Sequence, residues 1–237
     1  MRLLYLNPNS TTAMTDSMVS VARAALPGAD VQGWTNASGP PAIQGPEDGA
    51  AAVGGLLALL PEARNAGVQA IVIGCFDDTG LARLRHAAHC PVLGLGQAAM
   101  ALAALYGRFG VVTTLDVSVP VIEANVQAYG HAGACVGVLA SGLAVLEVEA
   151  GGPAVERRLA ARIAEAQTAG AGAVVLGCAG MARLRPGLST RSGPVLVDGV
   201  TASAHLARAL VAPPGQGLGR PDHKATVSTE DAPAAGV

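Results

Sequence analysis

One lysine, Lys224, occurs in the 237 residues, in a polar stretch beyond Pro213-Pro214-Gly215. Pyridoxal phosphate enzymes need a lysine for the Schiff base, and Walker-type loops need one against the phosphates; a lysine in such a stretch is placed for neither. Charge of either sign is scarce, and the net charge of −2 offers no basic footprint for nucleic acid or an anionic membrane surface. Long apolar runs are missing, because Gly, Pro and charged residues interrupt each one short of a membrane span. The opening Leu3-Leu4-Tyr5-Leu6 run is too short for a secretory h-region and is followed by Asn7-Pro8-Asn9. A soluble cytoplasmic protein is expected, its four cysteines reduced thiols rather than a disulfide framework. Aromatic residues are 3% of the chain, whereas 51% is apolar and rich in Ala, Gly and Val. That mixture suits tightly packed helices on buried parallel sheets.

What the chain does have is a repeat. The stretch from Glu62 to Cys75 returns from Glu165 to Cys178 with eight of fourteen positions identical, at an offset of 103 residues, and the same offset maps Pro91-Val92-Leu93 onto Pro194-Val195-Leu196. Apolar runs at 2–7, 31–34, 70–75 and 91–93 read as strands of a first copy, and those at 109–114, 134–140, 173–178 and 194–197 as strands of a second. Helical patterns lie near 12–25, 48–66, 117–129 and 153–169, and Gly67 and Gly170 occupy helix C′ positions. The alternation predicts an α/β fold of two pseudo-symmetric doubly wound lobes with parallel sheets, and an active site in the cleft between them. The segments at 97–106 and 199–211 correspond by the repeat and are expected to cross between lobes. Lobe one is then 1–98 plus 199–211 and lobe two 99–198, with 212–237 a disordered tail.

Ligands bind beyond the carboxyl ends of strands in open parallel sheets, and Asn7, Cys75, Thr113, Thr114 and Cys178 fall at such ends. A lone cysteine is usually a small core residue, but two at equivalent positions of a duplicated unit suit a reaction with a base on one face of a substrate and an acid on the other. Cys75 and Cys178 are therefore the catalytic candidates. Each precedes a helical turn, where backbone N–H groups lower a thiol's pKa and can hold an enolate oxygen; Asp78, or Asp77, is a candidate cap for the turn after Cys75. Cys90 and Cys135 lack the relation and read as structural. Asn7, Asn9 and Ser10 serve either local turn chemistry or substrate contact, and Phe76 either walls the pocket or packs. Two patterns are decoys. Gly94-Leu95-Gly96-Gln97-Ala98-Ala99, with Asp116 further on, superficially matches a dinucleotide fingerprint, yet its repeat partner Val197-Asp198-Gly199-Val200-Thr201-Ala202 lacks the glycine spacing, so no nicotinamide cofactor is expected. His86, His89 and Cys90 lie at a strand's entry with no fourth ligand, so no metal is expected.

The combination Asn7-Pro8-Asn9-Ser10-Thr11-Thr12, Gly74-Cys75-Phe76-Asp77-Asp78, Val111-Val112-Thr113-Thr114-Leu115 with Ser118-Val119-Pro120, and Gly177-Cys178-Ala179-Gly180-Met181 resembles the aspartate/glutamate/hydantoin racemase superfamily, and most closely its hydantoin and allantoin racemases. The resemblance runs from the first strand to about Val211. It implies a cofactor-independent racemase with two catalytic thiols, a small cyclic ureide as substrate, and a homo-oligomer. It also marks Asn7, Asn9, Ser10, Phe76, Thr113, Thr114, Ala179 and Gly180 as substrate contacts. Asp116-Val117 replaces the polar-basic pair more usual before Ser118, which bears on substrate preference. The rivals within the superfamily are an aspartate or glutamate racemase, a maleate isomerase and an arylmalonate-type decarboxylase, the last disfavoured because it needs only one thiol. Outside it, a two-lobed small-molecule binding protein has the same outline but no use for matched thiols.

Overall fold

Eight short strands, each parallel to its neighbours, form two four-stranded sheets in the computed structural model, which describes residues 1–189 and 193–211. The expected tail lies outside the described residues. The first half runs β1 (Arg2–Asn7), α1 (Thr12–Ala25), β2 (Asp30–Thr35), α2 (Pro46–Ala58), α3 (Leu60–Asn65), β3 (Ala70–Ile73), α4 (Leu81–Ala87), β4 (Val92–Gly94) and α5 (Leu95–Ala104). The second runs β5 (Phe109–Thr113), α6 (Val119–Ala128), β6 (Cys135–Ala140), α7 (Val145–Ala150), α8 (Pro153–Thr168), β7 (Ala173–Leu176), α9 (Arg185–Ser189), β8 (Val195–Asp198) and α10 (Gly199–Leu210). Short 3₁₀ turns occupy Asp116–Ser118 and Ala179–Leu184. The sheet orders, β2-β1-β3-β4 and β6-β5-β7-β8, are the same order one copy apart, so the fold is α/β with two matching lobes. The helical pattern at 48–66 is two helices rather than one, because Pro61, in the first turn of α3, cannot donate to the end of α2.

Alternate side chains of each strand enter opposite layers, as the strand period requires. In the first sheet Leu3, Tyr5 and Val72 pack on Met18 and Ala22 of α1 and on Val200, Ala204 and Ala207 of α10. On its other face Leu4, Leu6, Ile71 and Ile73 meet Leu56, Leu60 and Leu84. In the second sheet Phe109, Val111 and Val175 pack on Ala99, Met100 and Ala103 of α5 and on Ile122 of α6. There Val112, Val174 and Leu176 meet Val148, Leu159 and Ile163 on the opposite face. Buried Tyr5 ties β1 to α10, donating its hydroxyl to the Val200 carbonyl at 2.8 Å with Ser203 Oγ 3.0 Å away. The chain reverses its direction of winding between β1 and β3, and again between β5 and β7. Those are the topological switch points of the two sheets, and both open on one cavity.

Candidate active site

The cavity is small and lies between the carboxyl ends of β1 and β3 on one side and of β5 and β7 on the other. Asn9 enters from the β1–α1 loop, Cys75, Phe76 and Asp77 from the turn after β3, Thr113, Thr114 and Ser118 from the end of β5, and Cys178 and Ala179 from the turn after β7. Met14, Ile43 and Val145 close an apolar side. The loop that carries Ile43 reaches across from the first half: Gln44 Oε1 accepts from the Val145 N–H at 3.2 Å, and Ala42 packs with Met14 and Val145.

Gly74 and Gly177 still donate to the neighbouring strands, at 2.9 Å to the Leu6 carbonyl and 2.7 Å to the Val112 carbonyl, and the chain then turns away from each sheet. Both cysteines therefore leave the pleat and point into the cleft. A Cβ on Gly177 would press on the Val112 carbonyl at 2.8 Å, and one on Gly74 on Met18, so glycine is what lets each thiol approach. Lowered thiol pKa values were expected here; burial outweighs the backbone donors. Burial, with the Asp77 charge second, holds the Cys75 thiol well above its ordinary value. Burial pushes Cys178 up to about 12, with Glu149 and Asp77 adding to the rise, while the Gly180 and Met181 N–H groups pull the other way. A charge on Cys178 would raise Cys75 further, so the two sulfurs compete to be ionised.

Of the sequence candidates, Asn9, Cys75, Phe76, Thr113, Thr114, Cys178 and Ala179 line the cavity together, whereas Asn7, Ser10 and Gly180 stand behind its wall. Asn7 is buried and works on the loop itself. Its Nδ2 donates to Asn9 Oδ1 at 3.0 Å and Thr15 Oγ1 at 2.9 Å, and its Oδ1 accepts from the Asn9 N–H at 3.1 Å. Asn9 Oδ1 also accepts from the Thr11 N–H at 2.9 Å and Asn9 Nδ2 donates to Met14 Sδ at 3.5 Å, so the second N–H of the Asn9 amide is what is left for a ligand. Ser10 is held through its backbone, donating to the Pro40 carbonyl at 2.9 Å. Gly180 lacks a side chain where a Cβ would meet Glu149 Oε2 at 2.8 Å. Thr113 Oγ1 donates to the Gly177 carbonyl at 3.2 Å, bracing the second thiol's turn, while the Thr114 and Ser118 hydroxyls make no side-chain hydrogen bond among the described residues. Cys135 Sγ contacts its own strand at the Gly137 carbonyl, and neither it nor Cys90 borders the cavity.

Asp78 does not cap the turn after Cys75. With φ of +53° it swings its carboxylate onto the N-terminus of α5, accepting from the Gly96 N–H at 2.9 Å and the Gln97 N–H at 2.7 Å. A carboxylate thus occupies the place where a dinucleotide's pyrophosphate would sit, and the glycine pair has a different cause. A Cβ on Gly94 would stand 2.6 Å from Asp78 Oδ2 and closer to Cγ, and one on Gly96 would strike the Phe76 carbonyl. Helix α6 grips the same loop from the second half: Tyr129 donates to Asp78 Oδ2 at 2.7 Å, and Asn125 Nδ2 to the Asp77 carbonyl at 3.0 Å. Burial pushes Asp78 up to about 6 despite these donors. Sequence reasoning passed over Met14, Ile43 and Val145, which come from a helix's first turn, an aperiodic loop and another helix start; only the local motif around Ser118 pointed to the β5 turn. Among the described residues, no three His, Cys, Asp or Glu side chains are grouped as a metal ion requires, and no helix is long and apolar enough to cross a membrane.

Two matching parallel-sheet lobes, each sending a thiol into one small shared cleft, define a paired-thiol α/β protein of the two-lobed kind. The chain belongs to the Asp/Glu/Hydantoin racemase family, whose model matches residues 3–207. It is 41% identical over 214 residues to a hydantoin racemase of Rhizobium meliloti, covering 89% of each chain. Among solved structures it superposes on an allantoin racemase from Klebsiella pneumoniae with a TM-score of 0.85 and 35% identity, covering 89% of this chain and 87% of that one. An allantoin racemase from Pseudomonas fluorescens gives a TM-score of 0.80 and 31% identity, covering 89% and 91%.

Proposed function

We propose that the chain is a cofactor-independent racemase of a cyclic ureide, a 5-substituted hydantoin or allantoin, with Cys75 and Cys178 as its two proton-handling groups. The observation that carries the reading is the pair of thiols at equivalent strand ends, facing one cavity from opposite sheets. Inverting a carbon next to a carbonyl requires taking a proton from one face and returning one to the other, which a single side chain does poorly. Mutual repulsion between the sulfurs disfavours two thiolates, and the reaction runs from the form with one thiolate beside one thiol. After one turnover the roles are exchanged, and the enzyme is ready for the opposite enantiomer. The Asn9 amide and the Thr114 and Ser118 hydroxyls supply hydrogen bonds suited to ring carbonyl and N–H groups. A wall that presents a carboxyl and, among the described residues, no basic side chain favours an uncharged ring over a free dicarboxylic amino acid.

The test follows loss of optical rotation with enantiopure hydantoins, allantoin, aspartate and glutamate, then deuterium exchange in single variants. Cys75→Ser and Cys178→Ser should lose racemisation, since the hydroxyl is a far weaker acid than the thiol. Each keeps one thiol, so each should still exchange solvent deuterium into a different enantiomer. Near wild-type racemisation by either variant, or exchange of the same enantiomer by both, would refute the two-thiol mechanism.

A further inference from the structure

Asp77 has no part in the two-thiol scheme, yet among the described residues it is the charged side chain that the cavity wall presents. Its backbone is pinned: the carbonyl accepts from Asn125 Nδ2 at 3.0 Å, and the N–H points at the Cys75 sulfur. Its carboxyl, by contrast, has no hydrogen-bond or ion-pair partner among the described residues. It lines the same cavity as both sulfurs, where the reacting carbon must lie, and its charge is felt at each of them. An unpartnered carboxyl in a largely buried cavity is costly to the fold unless a ligand completes it.

We propose that Asp77 is a third catalytic residue, whose protonated carboxyl donates a hydrogen bond to the ring carbonyl oxygen beside the reacting carbon. The inference rests on the racemase reading above. As either thiolate takes the C–H proton, an S–H bond forms and the C–H electron pair moves into the carbonyl, leaving an enolate oxygen. The Asp77 proton stays on the carboxyl, and its hydrogen bond strengthens as that charge grows. The other thiol then returns a proton to carbon and becomes the new thiolate. Sharing one cavity with both sulfurs, Asp77 serves both directions. Burial, with the Asp78 charge second, pushes its carboxyl up to about 7, so the neutral donor is well populated at neutral pH. A carboxylic acid kept neutral by its surroundings so that it can donate to an oxyanion is a known catalytic device.

The experiment compares wild type, Asp77→Asn and Asp77→Ala on enantiopure 5-isobutylhydantoin from pH 6 to 8.5. The ionisable groups facing Asp77 are Cys75 and Asp78 on its own loop and Cys178 from the opposite sheet. Tyr129 and Arg85 act on it through Asp78, and Glu149 stands behind Cys178. The active form needs a protonated Asp77 and one thiolate. Above pH 7, wild-type kcat/KM should therefore be flat, each proton lost from Asp77 cancelling the gain in thiolate. Asp77→Asn cannot ionise but still offers an N–H, so its kcat/KM should climb about tenfold per pH unit over the same range. Asp77→Ala should lose about 10²–10³-fold in kcat with little change in KM, the usual cost of removing an oxyanion donor. Thermal melts of the three proteins establish that the comparison is between folded enzymes. Parallel pH profiles for wild type and Asp77→Asn, or a loss confined to KM in Asp77→Ala, would overturn the assignment while leaving the two-thiol reading intact. No wild-type turnover of any ureide would overturn both.

Discussion

Gly94→Ala separates a glycine that makes room for a phosphate from one that makes room for a side chain. The added Cβ would fall 2.6 Å from Asp78 Oδ2 and nearer still to Cγ, inside any real contact distance. The Asp78 carboxylate cannot give way freely, because it holds the Gly96 N–H, the Gln97 N–H and the Tyr129 hydroxyl at 2.7–2.9 Å. Overpacking of this kind costs about 1–3 kcal/mol, and each buried donor stripped of its acceptor costs about 1–3 kcal/mol more. Part of that is recovered as the loop relaxes, and a net loss of about 3–5 kcal/mol is expected. At about 2–4 °C per kcal/mol for a domain of this size, the melting temperature should fall by roughly 10 °C. The variant that remains folded at 20 °C should also be slow, since Cys75 lies three residues from Asp78 on the displaced loop. A misplacement of about 1 Å costs on the order of 10²-fold in rate. Calorimetry and polarimetry on the same preparation read both effects. Gly54→Ala is the control: nothing lies within 4 Å of its added Cβ, and inside α2 the change should stabilise by up to about 1 kcal/mol. A Gly94→Ala protein melting within 2 °C of wild type at full rate would refute the placement of Asp78 on α5.

Two further outcomes follow from the same geometry. Asp77 has its carboxyl pKa raised from 3.8 to about 7 in the fold, so its ionisation penalty is absent below about pH 4, grows between pH 4 and 7 and is constant above. Asp77→Asn removes the penalty; after screening, about 1–2 kcal/mol, it should melt about 2–8 °C above wild type at pH 8 and level with it at pH 4, and equal melting at both pH values would count against the burial of that charge. Turnover should survive dialysis against a metal chelator and treatment with a carbonyl-trapping reagent, and a loss restored by metal or by pyridoxal phosphate would contradict cofactor-free chemistry.

Most of the strands were legible because a parallel sheet buried on both faces must be written as short, continuous apolar runs, and the 103-residue offset supplied each run, the half-exposed β2 included, with a second copy. Their ends were less so. The runs at 70–75 and 173–178 look like strand up to the cysteine, but β3 stops at Ile73 and β7 at Leu176. In each case a glycine makes one last bond to the sheet before the chain turns. The elements missed, α4, α7 and α9, are five to seven residues long, too short to show a period. The polar wall followed from the rule that strand ends carry ligands; the apolar wall did not. Nothing local distinguishes Ile43 from any loop isoleucine, and its position depends on Gln44 reaching Val145 about a hundred residues away.

What the repeat could not convey is where its two copies differ, and the differences collect around the first thiol. Helix α10 is capped by its own preceding residue, Asp198, through the Thr201 N–H at 2.7 Å. One repeat earlier that position is Leu95, which cannot cap, and α5 borrows Asp78 from the Cys75 loop instead. At the matching offset Asp77 and Asp78 correspond to Gly180 and Met181, so one sulfur is followed by two carboxylates and the other by two uncharged residues. The first copy thereby couples its thiol's loop to α5 and, through Tyr129 and Asn125, to α6 of the other half. The second leaves its thiol to backbone donors. A racemase tolerates such inequality. With an equilibrium constant of one, kcat/KM must be equal in the two directions however unlike the faces are. Asymmetry can only shift weight between kcat and KM for each enantiomer. On the two-thiol proposal the duplicated frame serves to set two thiols across one carbon, while the residues behind each thiol are free to diverge.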